Sequence, residues 1–138
     1  SAEGKMDFWW VNMKPGKPIA FGTVAGVPLI GLPGNPVSAM IGFELFARPA
    51  IHRLRGLPEQ EPRSISARLS TAIERKDGRR HYLRVRLRRD SGGVYADLTG
   101  DQGSGILTSL VQADGLAVIP EDARRLEAGA EVRVLLLE

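Results

Sequence analysis

Lys14 and Lys17 bracket a Pro-Gly turn in the run Lys14-Pro15-Gly16-Lys17-Pro18. The prolines fix the backbone and remove amide donors, so the segment reads as a structured loop rather than a strand. Two ammonium groups on a rigid loop suit a multiply charged anion; as surface lysines they could equally be solvated. A second candidate is Gly31-Leu32-Pro33-Gly34-Asn35-Pro36-Val37-Ser38-Ala39. Asn35 is expected to accept from the first free amides of a helix as its N-cap, with Pro36 tolerated at the first helical position. Glycine lets a ligand approach the backbone, and the helix start offers amides and the positive end of the dipole. Spacing alone leaves open whether this is an anion site or a tight strand-to-helix turn. In Tyr82-Leu83-Arg84-Val85-Arg86-Leu87-Arg88 apolar residues alternate with arginines, the period of a half-buried strand. Arg84, Arg86 and Arg88 are therefore expected on one face, either solvated beside acidic neighbours or forming an anion surface. The Asp101-Gln102-Gly103-Ser104-Gly105 turn adds amides and the Ser104 hydroxyl.

No nucleophile with its base stands beside these candidates. The chain has no cysteine, which removes disulfides, thiolate zinc sites and thiol nucleophiles. His52 and His81 lack the spacing of a metal-ligand set, and Glu44, on a largely apolar helix, reads as a capping or packing partner. The glycine turns lack the Lys-Ser/Thr of a P-loop and the spacing of a dinucleotide fingerprint. Chemistry that rests on positioning, charge neutralisation and an externally supplied metal fits better than acyl transfer.

With 43% hydrophobic and 25% charged residues among 138, the composition is that of an ordinary globular protein and excludes disorder. Apolar runs fall short of the roughly 18 residues that a membrane span needs. The start, Ser1-Ala2-Glu3-Gly4-Lys5, lacks the order of a signal peptide, and a chain that does not open on Met is expected to be processed, tagged or cut from something longer. The formal charge of +3 conceals segregation, with 10 basic and 2 acidic groups over residues 63–89 against 3 and 9 over residues 90–138. Nucleic acid is not the expected partner, because Tyr82 and Tyr95 are the only Phe, Trp or Tyr beyond residue 46.

The elements that must carry these groups fall into two sets. Strands are expected over 7–13, 19–24 and 27–31, then a helix from Pro36 to about Leu54. Pro49 should kink or split that helix near Ala47. Val37, Met40, Ile41, Phe43, Leu45, Phe46, Ile51 and Leu54 make the helix apolar nearly all round in its first turns, so deep packing is expected. Gly56 ends it, Pro58 blocks continuation, and Glu59-Gln60-Glu61-Pro62 reads as a linker. Beyond it, strands over 65–73, 81–89, 94–98, 116–119 and 132–136 suggest a small all-β barrel or sandwich, with a short helical turn over 104–110.

Taken together, Met13 to Pro18, Ala20-Phe21-Gly22, Gly31 to Ala39 and Gln102-Gly103-Ser104 closely resemble the molybdopterin molybdenumtransferase family, or MoeA family, which includes the E domain of gephyrin. The resemblance covers nearly the whole chain. It implies a mixed fold, with residues 1–56 the closing part of a MogA-like, molybdopterin-binding α/β domain and residues 57–138 a C-terminal β-barrel domain of the domain IV type. It also implies a longer parent, a cytoplasmic homodimer that inserts molybdate into adenylylated molybdopterin and releases AMP, of which this chain would be the last third and inactive alone. Magnesium would be the cation, held by acidic residues upstream. Position by position, Lys14 matches an active-site lysine, and Pro33 and Pro36 match prolines of the pterin-side loop. Arg84 and Ser104 match barrel positions tied to activity, and Lys17, Gly34, Asn35 and Ser38 match further motif positions on the substrate side. Trp10 stands where many relatives carry a basic residue, a contact that Arg48, Arg84 or a partner subunit would have to replace. The residues also admit a non-catalytic binding or scaffold module, or an RNA-binding barrel. Open strand edges before residue 31 would invite pairing with another copy.

Overall fold

The computed structural model describes residues 4–10, 12–15, 18–58, 61–100, 102 and 107–137, with 4–10, 18 and 107 followed through their backbone. It divides into two compact units, Ser1–Gln60 and Glu61–Glu138.

The first unit opens with β1 (Gly4–Trp10), β2 (Met13–Lys14), β3 (Pro18–Val24) and β4 (Val27–Gly31). The strand expected over 7–13 thus ends at Trp10, and β2 is a separate short piece. β1 and β3 pair antiparallel, from Gly4 opposite Val24 to Trp10 opposite Pro18. β3 then turns through Ala25 and Gly26 into β4. Both turn residues have positive φ, 51° and 78°, as a two-residue hairpin that follows the twist of its strands requires.

The helix runs as α1 (Pro36–Gly42), a π segment (Phe43–Ala47) and α2 (Arg48–Leu54). Pro49 has no N–H to give the carbonyl four residues back, and its ring crowds that carbonyl. The turn just before it widens accordingly, with the Arg48 N–H reaching Phe43 O, so the split expected near Ala47 is present. At the far end Gly56, at φ 72°, lets its own N–H reach Arg53 O at 3.0 Å and the Leu57 N–H reach His52 O at 3.1 Å, a Schellman closure. Glu44, expected as a capping or packing partner, instead receives the Arg48 guanidinium in a fork at 2.9 and 3.0 Å. The rings of Phe21 and Phe46 meet edge to face at 6.3 Å, tying sheet to helix. Deep burial all round is not found. Val37, Ser38, Ile41 and Gly42 are buried while Met40, Ile51 and Leu54 are exposed, because a three-stranded sheet covers only one face of a helix.

The second unit contains β5 (Ser64–Leu69), β6 (Ile73–Glu74), β7 (Arg80–Asp90), β8 (Gly93–Leu98), α3 (Leu107–Val111), β9 (Gly115–Ile119), β10 (Arg125–Leu126) and β11 (Glu131–Leu136). Strands β7, β8, β5, β11 and β9 pair in that order and β9 returns to β7, closing a five-stranded barrel in which only β5 and β8 run parallel. The strand expected over 65–73 breaks after Leu69, where the backbone bonds Gly129 and Ala130, and resumes as β6 against β10. Alternate positions point inward, and Ala67, Leu69, Leu83, Val85, Ala96, Ala117, Ile119, Val132 and Val134 fill the barrel. Gly115 allows the closest approach: a Cβ there would lie 2.5 Å from Val134 Cγ1 and 2.6 Å from Leu135 O. Among the described residues no helix is long and apolar enough to cross a membrane.

Candidate functional site

β4 ends at Gly31 and hands the chain to the Leu32–Asn35 turn, which opens α1 at Pro36. The turn lies close on the helix because Gly42 has no side chain; a Cβ there would sit 3.1 Å from Leu32 Cδ2 and 3.9 Å from Pro33 Cδ. Asn35 has the extended torsions of an N-cap (φ −70°, ψ 130°), and its carbonyl accepts the Ala39 N–H at 2.8 Å. It makes no side-chain cap hydrogen bond, which corrects the expected side-chain role. Since Pro36 has no amide hydrogen, the end of the helix presents the Val37 and Ser38 amides. Gly34 and Pro36 are exposed, Pro33 and Asn35 half-buried, and Ser38 is buried.

Lys14 is exposed between buried Met13 and Pro15. The Lys14–Pro15 peptide is cis. Among the described residues no hydrogen bond or ion pair joins Lys14 to the 33–38 turn. Lys17 and Ser104 lie outside the described residues.

The arginines of β7 do not share one solvated face. Arg86 and Arg88 are exposed, whereas Arg84 is 1% exposed. Arg88 pairs with Asp97 and Asp90, each at 3.1 Å, and stacks over the Tyr95 ring at 4.8 Å, which is the solvated face beside acidic neighbours. The Ser70 hydroxyl and the Arg88 guanidinium hold the Asp97 carboxyl below the usual range. Arg86 Nε donates to Gln112 O at 3.0 Å, just past α3. Arg84 instead donates to Ser109 Oγ at 3.2 Å, to Tyr82 O at 2.9 Å and to Gln102 O. The Gln102 side chain replies, accepting the Arg84 N–H at 2.7 Å and donating to Arg84 O at 3.1 Å. Thr99 Oγ1 also bonds Arg84 O at 3.2 Å and Ser109 O at 2.8 Å. The buried charge is therefore well supplied with acceptors, and it ties Gln102 to β7. Sequence reasoning did not single out Ser109 or Thr99. Period-2 alternation reports which side a residue takes, not how deep that side lies.

Residues 66–137 match the family described as "MoeA C-terminal region (domain IV)". The chain belongs to the MoeA family. Residues 2–53 match a second description, "Probable molybdopterin binding domain". Among curated MoeA relatives, molybdopterin molybdenumtransferase 2 of Mycobacterium tuberculosis is 39% identical over 94% of this chain and 31% of its own length. Molybdopterin molybdenumtransferase of Haemophilus influenzae is 32% identical over 95% of this chain and 33% of its own. The crystal structure of the molybdopterin biosynthesis MoeA protein from Pyrococcus horikosii superposes with a TM-score of 0.81 at 34% identity, covering 99% of this chain and 33% of that one. The chain thus spans about a third of the length of these MoeA relatives. The Pro33–Ser38 turn and Lys14 fall in the segment matched to the molybdopterin binding domain, and Arg84 in the domain IV segment. Among the described residues no group of three or more His, Cys, Asp or Glu gathers to hold a metal ion.

Proposed function

We propose that the chain is part of an enzyme of molybdenum cofactor biosynthesis that inserts molybdate into adenylylated molybdopterin and releases AMP. The observation that carries this is the 39% identity to a molybdopterin molybdenumtransferase over 94% of the chain, with the Pro33–Ser38 turn complete within it. The chemistry of the turn agrees. Gly34 offers bare backbone, the Val37 and Ser38 amides point to the helix start, and Pro33 and Pro36 hold the turn rigid for an anionic pterin. Lys14 neutralises oxyanion charge during transfer, with Lys17 beside it in sequence. Arg84 acts as a positioning residue through Gln102, which stands two residues before Ser104 in the sequence.

Magnesium, when bound, would neutralise phosphate charge. The described residues do not fit a magnesium site, and the carboxylates that the resemblance ties to the metal are not among them. The chain alone is therefore expected not to turn over. The same reading makes the parent a cytoplasmic homodimer.

The test is molybdate insertion in the full-length parent. Lys14→Ala should slow insertion by about a hundredfold or more, the scale of one lost oxyanion donor, with no change in melting temperature. Unchanged insertion kinetics would overturn the assignment. Arg84→Lys should raise the KM for adenylylated molybdopterin more than it lowers kcat; equal losses would leave Arg84 a purely structural residue.

A further inference from the structure

The loop from β6 to β7 gathers cations around one carboxylate. Asp77 accepts the Arg79 N–H at 3.1 Å and meets the His81 ring at 2.9 Å and the Arg79 guanidinium at 3.3 Å. Burial raises its pKa, but His81 and Arg79 outweigh that and hold the carboxyl far below the usual range. Gly78, at φ 66°, makes the turn. The neighbouring acids are engaged elsewhere: Glu74 and Glu127 both pair with Arg125, at 3.2 and 2.6 Å.

Arg75 differs from the others. Its side chain is 5% exposed, and Nε, Nη1 and Nη2 have no hydrogen-bond partner. The nearest carboxylate, Asp77, stands 3.9 Å from Nη1, beyond hydrogen-bond reach. Its backbone N–H is fixed to Arg124 O at 2.9 Å. Arg80 Nε is likewise buried without a partner. A guanidinium cannot shed its proton, so burial leaves a charge whose donors call for an acceptor from outside the chain. Arg75, Lys76, Arg79 and Arg80 exceed Asp77 in charge, so that acceptor must be anionic. The planar fork of an arginine matches two oxygens of a tetrahedral oxyanion.

We propose that the β6–β7 loop binds a phosphate-class oxyanion, with Arg75 as its buried anchor, Arg79 as a further cation, and Asp77 as the internal counter-ion. Beside it the Asp77 and Arg79 side chains are partly exposed. The proposal rests on Arg75 and not on the molybdopterin reading, since neither Lys14 nor the 33–38 turn takes part.

The test is calorimetric titration of the whole chain with inorganic phosphate, and separately with phenyl phosphate, at an ionic strength held constant with chloride. Arg75→Met should weaken phosphate binding about tenfold or more, the scale of one charge-assisted fork. In chloride alone it should melt no lower than the native chain, because the guanidinium removed makes no hydrogen bond and its ion pair with Asp77 is long, at 3.9 Å. Asp77→Asn should tighten binding several-fold by removing the competing anion. Undiminished binding by Arg75→Met overturns the proposal, as does the absence of phosphate binding above chloride. Should Arg75→Met not fold, Asp77→Asn decides: unchanged or weaker phosphate binding overturns the site. Binding of both probes supports a phosphorylated ligand, and binding of phosphate alone supports the free ion.

Discussion

Residues 61–138 bury their apolar side chains inside a ring of strands, with Val85, Ala117, Ile119 and Val134 fully enclosed. Residues 1–60 lay a helix on a three-stranded sheet and leave Val24, Val27, Leu29, Met40, Ile51 and Leu54 exposed, Leu54 at 67%. The physical difference is closure. Each barrel strand is paired on both sides, whereas among the described strands of the open sheet β1 and β4 are edges. Closure also changes what a cation does. Arg84 in the barrel is a buried fastener surrounded by acceptors, while Lys14 in the first unit is exposed. Residues of one charge sign thus sit in different physical surroundings.

That contrast can be broken by substitution. Gly115→Val should cost the most, about 3 kcal/mol in urea unfolding of the barrel, because Leu135 O is backbone and cannot give way. A tolerated valine would mean that β9 and β11 can separate without opening the ring. Arg84→Met should cost about 2–3 kcal/mol by stranding Ser109, Tyr82 O and Gln102 O. Lys14→Ala should stay within about 0.5 kcal/mol. Equal losses for the two would erase the distinction between fastener and exposed cation. Leu54→Gln should also change stability by no more than about 0.5 kcal/mol and should reduce self-association in light scattering. A core-sized loss would show that this face is packed.

The smallest effect concerns pH. The Asp97 carboxyl is depressed in the folded chain, so its contribution is present above the ordinary carboxylate pKa and fades as pH falls through the lower, folded value. Melting temperature should therefore decline as pH falls below the ordinary carboxylate pKa, and Asp97→Asn should flatten part of that decline. The effect is small because Asp97 and Arg88 are substantially solvated. An identical acid limb in the variant would show that the Ser70–Asp97–Arg88 cluster does not contribute.

Much of this was readable before any coordinates. Alternation marked β7, β8, β9 and β11 to within a residue or two, since a period of two needs only local side-chain order. Pro49 announced the widened helix, because a missing N–H is a local fact. The break after Leu69 and the short β10 were not readable, as both depend on partners more than fifty residues away. Asn35 was placed correctly as the cap by type, but whether its side chain would bond the amides was not.

The sequence by itself determined the strand periods, the turn chemistry, the absence of thiol chemistry and the motif that points to the family. These rest on residue type and short spacing, which the chain carries with it. Tertiary structure alone decided that the barrel closes, that Arg84 is enclosed while Arg86 and Arg88 are not, and that Arg75 is buried without an acceptor. Depth and partnership are set by residues distant along the chain, and a periodic pattern has no term for them.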